Sequence, residues 1–120
     1  MVTKALVVDD SATDLLNIKG ILSDAGCIVI TAADGAEAIT KAKAEKPSII
    51  FLDVIMPGID GYDACRTLSG DPDTKAIPVV FVTSKGQKVD KAWGQMQGAK
   101  GHIVKPVNAE EVIDQLKALT

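Results

Sequence analysis

The chain has 120 residues, a net charge of −3, 47% hydrophobic and 24% charged residues, which is the make-up of one globular domain able to bury a core without staples. No basic block suits nucleic acid, and no apolar run approaches the roughly 20 residues of a membrane span. Cys27 and Cys65 lack metal-ligand spacing and read as reduced, mostly buried thiols; with an apolar run directly after Lys4 in place of a signal peptide, the expected location is the cytoplasm.

Strand-like and helix-like segments then alternate to the end. Ala5 to Val8 is a short apolar run that stops at Asp9-Asp10. Leu15, Leu16, Ile18, Ile21 and Leu22 follow at helical spacing, and Gly26 ends that helix. Cys27 to Thr31 is a second strand, and a small-residue helix after Gly35 ends before Pro47. Ser48 to Leu52 is a third strand, bounded by Asp53. Met56 to Gly61 is a loop by its Pro and Gly content, and Tyr62 to Leu68 a helix. Ile77 to Val82 is a fourth strand that stops at Thr83-Ser84. A fourth helix runs through Val89, Trp93 and Met96. His102 to Val104 is the fifth strand, stopping at Lys105-Pro106, and Ala109 to Leu119 the last helix.

Five βα units with no linker or repeat make residues 1–120 a single α/β domain. Near-continuous apolar strands imply a parallel sheet covered by helices on both faces. A doubly wound open sheet fits the length, whereas a (β/α)₈ barrel typically needs about 250 residues. Carboxyl ends of parallel strands share one edge, where ligands bind. Asp9, Asp10, Asp53, Thr83, Ser84 and Lys105 all follow strands, so they are expected to converge there. Clustered carboxylates repel and call for a hard cation such as Mg²⁺. A carboxylate beside Mg²⁺ and a lysine can attack phosphorus to form an acyl phosphate.

The ordered set of motifs resembles the receiver domains of two-component response regulators. Val7-Val8-Asp9-Asp10-Ser11 resembles their acidic pair, and Phe51 to Gly61 their phosphoacceptor loop. Val82-Thr83-Ser84 and Val104-Lys105-Pro106 resemble their switch hydroxyl and lysine segments. The resemblance covers the whole chain. It is nearest to stand-alone CheY-like receivers, with Leu68 to Thr74 and Asp90 to Ala99 similar to the PilH-type receivers of twitching-motility chemosensory systems. It implies a flavodoxin-like (βα)5 fold with strand order 2-1-3-4-5 and a cis Lys105-Pro106 peptide. Asp53 would be the phosphoacceptor, with Mg²⁺ on Asp10, Asp9, Asp53 and the backbone carbonyl of Ile55. Thr83 and Lys105 would sense the phosphoryl group. A sensor histidine kinase would be the donor, and a downstream protein the target. The implied protein is not an enzyme, does not insert into membranes, and is a monomer or weak dimer. With no output domain after Thr120, it would signal by protein contact or by draining phosphate.

Several positions keep two readings. Asp9 and Asp10 could be helix N-terminal acids, and Asp10 or Ser11 the cap of the first helix. Ile55 and Lys85 should alter access of the attacking water to the phosphoryl group. His102 stands where the family usually has a switching Tyr or Phe, and reads either as a titrating substitute or as a surface imidazole. Trp93 is either core or a partner contact. Two other readings fit less well: a phosphatase with an aspartyl-phosphate intermediate, which would typically need an acid at Ile55 and a cap, and a flavin carrier, whose phosphate Asp9-Asp10 would repel.

Overall fold

The computed structural model describes residues 3–54, 56, 58–84 and 98–120. Ile55, Lys85, Val89, Trp93 and Met96, and with them the fourth helix expected from the sequence, lie outside the described residues. The elements are β1 (Lys4–Val8), α1 (Ala12–Asp24), β2 (Ile28–Ala32), α2 (Gly35–Glu45), β3 (Ile49–Asp53), α3 (Gly61–Gly70), β4 (Val79–Thr83), β5 (Gly101–Val104) and a last helix, Ala109–Leu119. All strands pair in parallel, in the order β2-β1-β3-β4-β5.

The alternation of side chains along each strand divides the core in two. Leu6, Val8, Ile50, Leu52, Val79 and Phe81 face α2 and α3, whose Ala38, Ala42, Ala64, Cys65 and Leu68 cover them. Ala5, Val7, Ile49, Phe51, Val80, Val82 and Ile103 face α1 and the last helix, covered by Ile18, Leu22, Val112 and Leu116. Small residues on α2 let it lie close to the sheet. Tyr62 and Phe81 meet edge to face with ring centroids 5.2 Å apart.

Strand limits differ from the sequence expectation by one or two residues, and each difference matters at the edge. Pro78 has no N–H to give the ladder, so β4 begins at Val79 and ends on Thr83 itself. Asp53 is likewise inside β3, in register with Val82. Leu16 is 62% exposed and not part of the core. It is two positions from buried Ile18, roughly 200° around the helix, and so points the other way. Both cysteines are free; Cys65 is buried and Cys27 half-buried. Burial pushes the Cys65 thiol up to about 11, partly offset by its contact with Ser69.

Each described helix opens on a short polar cap. Ser11, Asp34, Asp60 and Asn108 accept from the N–H groups of Asp14, Glu37, Asp63 and Glu111. At Gly61 the chain passes so close to the end of β3 that a Cβ would stand 2.3 Å from the Asp53 carbonyl oxygen and 2.6 Å from Val54 Cα. By contrast, a Cβ at exposed Gly20 in α1 would meet nothing within 4 Å. Gly61→Ala should therefore destabilise the protein by about 1–3 kcal/mol through a forced shift of backbone. Gly20→Ala should stabilise it by about 0.5–1 kcal/mol. Urea denaturation of the two variants checks both signs.

Candidate functional site

Three strand ends and the segment after β5 meet at one point of the carboxyl edge. Asp9 follows β1, and its N–H bonds to the Ala32 carbonyl at 3.1 Å, prolonging the ladder by a residue. Its side chain is buried and engaged at both oxygens: Oδ1 accepts from the Ser11 N–H at 2.9 Å, and Oδ2 from Lys105 Nζ at 2.8 Å. Asp10 is exposed. Asp53 closes β3, is 4% exposed, and its Oδ1 is buried with no hydrogen-bond partner among the described residues. Carboxylate oxygens of Asp9, Asp10 and Asp53 lie within 4.8 Å of one another.

Lys105 arrives from the other side. Its N–H bonds to the Thr83 carbonyl at 2.6 Å, and the Lys105-Pro106 peptide is cis. Its ammonium also donates to Asp14 Oδ2 at 2.9 Å and stands 3.9 Å from Asp53 Oδ2. Thr83 is buried, and its hydroxyl lies 3.0 Å from His102 Nε2. His102 is therefore a half-buried residue whose ring is turned toward the Thr83 hydroxyl and not out to solvent alone. The Gly61 N–H donates to the Val54 carbonyl at 2.6 Å and folds the loop after β3 back on itself.

The electrostatics follow from this crowding. Burial first, then the negative charges of Asp9 and Asp10, push the Asp53 carboxyl from 3.8 up to about 7; Lys105 opposes the rise without cancelling it. Burial by itself would lower Lys105, but the bonds to Asp14 and Asp9 and the charge of Asp53 outweigh it, and the ammonium is held above its ordinary range. An oxygen-only donor set with a buried, unsatisfied carboxylate oxygen fits a hard divalent cation such as Mg²⁺.

Asp9, Asp10, Asp53, Thr83 and Lys105 thus come together at the edge where the sequence suggested, His102 joins them through Thr83, and Ile55 and Trp93 lie outside the described residues. Two contributors were missed. Asp14 looks like an ordinary acid in the first turn of a helix, and nothing local points it at Lys105. Gly61 looked like a loop glycine, though its place after Asp60, the cap of α3, hints at a tight entry.

A doubly wound sheet whose carboxyl edge gathers an acid triad, a buried hydroxyl and a lysine defines a signalling module of the CheY type. The chain belongs to the response regulator receiver domain family, whose model matches residues 5–117. It is 39% identical to protein PilH of Pseudomonas aeruginosa over 116 residues, covering 97% of this chain and 96% of that one. It is 38% identical to PilG of the same organism, covering 96% and 85%. Among solved structures, a putative response regulator from Chloroflexus aurantiacus superposes with a TM-score of 0.93 at 32% identity, covering 99% and 98% of the two chains. The chemotaxis response regulator CheY4 of Vibrio cholerae superposes with a TM-score of 0.91 at 33% identity over the full length of both.

Because the folded state raises the Asp53 pKa, its contribution to stability is fully present below pH 3.8 and is lost as pH rises through about 7. In metal-free protein, Asp53→Asn should therefore raise the unfolding midpoint most above pH 7 and least near pH 4. Urea titrations in chelator across that range check this; parallel curves for the two proteins would contradict it.

Proposed function

We propose that this protein is a stand-alone response regulator, with residues 1–120 forming one receiver domain. Asp53 takes a phosphoryl group from a phosphohistidine of a partner kinase in a chemosensory pathway of the chemotaxis or type IV pilus kind. The observation that carries the reading is Asp53 Oδ1, a buried carboxylate oxygen without a hydrogen-bond partner among the described residues, set between an acid pair and a lysine. Leaving such an oxygen unsatisfied costs stability, and a site that binds a ligand there recovers it. Similarity to PilH, PilG and CheY4 over nearly all of the chain supports the same reading.

In the transfer, an Asp53 oxygen bonds to phosphorus as the bond to the histidine nitrogen breaks, and the leaving imidazole keeps the electron pair. Asp10 and Asp53 would hold Mg²⁺ directly, with the Ile55 carbonyl, and Asp9 through water, since both Asp9 oxygens are already engaged. Bound there, Mg²⁺ supplies charge neutralisation for the carboxylates and the incoming oxygens. Lys105 offers an N–H to a phosphoryl oxygen. Thr83 has one hydroxyl proton; with the His102 tautomer that accepts at Nε2, donating that proton to the phosphoryl group means re-aiming a hydroxyl now paired with His102. That exchange of partners gives β5 and its surroundings a reason to respond, and His102 takes the place of the family's switching aromatic. Exposed Leu16, Ile59 and Val104 stand on segments that flank the pocket and suit a protein donor. A covalent phosphatase role is disfavoured by Ile55, where such enzymes typically carry a second acid.

Incubation with acetyl phosphate and Mg²⁺ should add the mass of one phosphoryl group in an acid-stable, hydroxylamine-labile form. Asp53→Asn should abolish the adduct entirely. No adduct on the wild type, or an equal one on the variant, would defeat the proposal.

A further inference from the structure

The ammonium of Lys105 has three N–H groups, and two are committed. One goes to Asp9 Oδ2 at 2.8 Å and one to Asp14 Oδ2 at 2.9 Å, while Asp53 Oδ2 at 3.9 Å is within ion-pair range but beyond hydrogen-bond reach. The two acid partners differ. Asp9 is buried, tied to the Ser11 N–H, and belongs to the converging carboxylates. Asp14 lies outside that cluster, one helical turn beyond Asp10 on α1, and its side chain is 43% exposed. An acid in a first turn ordinarily does no more than complement the helix dipole. Here its carboxylate instead reaches a lysine 91 residues away in sequence.

We propose that Asp14 is a positioning residue that acts through Lys105 as a brake on phosphorylation: it holds the ammonium off Asp53 and must yield for Lys105 to engage a phosphoryl oxygen. The inference rests on the phosphoacceptor reading of Asp53. A half-exposed ion pair contributes little to folding, so the contact has small structural value. Its charge, however, falls on the lysine that serves the site. Asp14 makes a fourth carboxylate competing for that ammonium, and the competition is strongest when the phosphoryl group adds further negative charge to Asp53. Removing the Asp14 charge frees an N–H of Lys105 for the incoming phosphoryl group. Asp9, still bonded to Lys105, keeps the ammonium at the pocket.

The test is the rate of Asp53 phosphorylation by acetyl phosphate at saturating Mg²⁺, followed by intact mass. Asp14→Asn should react about 3- to 10-fold faster than wild type, and Asp14→Glu, which keeps the charge, within about 2-fold of it. In a Lys105→Ala background, Asp14→Asn should no longer change the rate, because the effect passes through the lysine. In metal-free protein, the Lys105 ammonium resonance should move on Asp14→Asn and stay near its wild-type position on Asp14→Glu. An unchanged or slower Asp14→Asn rate, on a wild type that forms its adduct normally, would overturn this inference alone. So would an acceleration that survives Lys105→Ala. A wild type that forms no Asp53 adduct would bring down the phosphoacceptor reading together with it.

Discussion

Among the described residues, carboxylates outnumber positive charges at one edge of this sheet. At about 4 Å and an effective dielectric of 20, one ion pair gains about 4 kcal/mol, and a like pair at that distance loses about as much. Asp53 has Lys105 at 3.9 Å on one side and the oxygens of Asp9 and Asp10 within 4.8 Å on the other. Among the described residues a single ammonium, already bonded to Asp9 and Asp14, faces these carboxylates, which leaves a deficit of positive charge. Burial first, and then this deficit, raise the pKa of Asp53, whose Oδ1 has no hydrogen-bond partner among the described residues. A pocket in this condition favours whatever brings positive charge, which is why a divalent cation and a charged group that travels with it suit the site.

The fold maintains this crowding through the hydrophobic core. Ile49, Ile50, Phe51 and Leu52 are fully buried, so β3 cannot slide to relieve Asp53. A one-residue slip would exchange the faces of the whole strand and put each core side chain against the wrong helices. Gly61 fixes the return of the loop by close approach to the Asp53 carbonyl. On the far side, Lys105 is pinned by its backbone bond to Thr83. Repulsion at the edge is thus offset by burial a few ångströms below it. The same rigidity suits signalling, because a local change of charge is passed to neighbouring groups and not absorbed by a soft pocket. In the proposed switch, Thr83, buried and paired with His102, is the group that passes it on.

Much of this was legible in the sequence, for physical reasons. Short aliphatic runs that stop at Asp9, Asp53, Thr83 and Lys105 announce both a parallel sheet and the edge where its chemistry gathers. Strand limits were less legible. Asp53 and Thr83 each belong to their strand, since ladder bonds continue past the last apolar residue, and Pro78 delays the start of β4. Leu16 was drawn toward the core by its type, although its angle on the helix carries it away. Asp14 was invisible, because a pair joining residues 14 and 105 depends on the start of α1 and the end of β5 lying near each other in space. The character of His102 was also open, because only the fold decides whether that ring meets Thr83 or water.

The central claim is that phosphoryl chemistry at Asp53 redirects Thr83 and Lys105. A crystal structure with Mg²⁺ and beryllofluoride, a stable mimic of the phosphoryl group, tests it most directly. The account predicts the mimic on Asp53, Lys105 Nζ and Thr83 Oγ1 both hydrogen-bonded to its fluorines, and the Thr83–His102 bond broken. A mimic bound elsewhere, or bound to Asp53 with Thr83 still paired to His102, would contradict it.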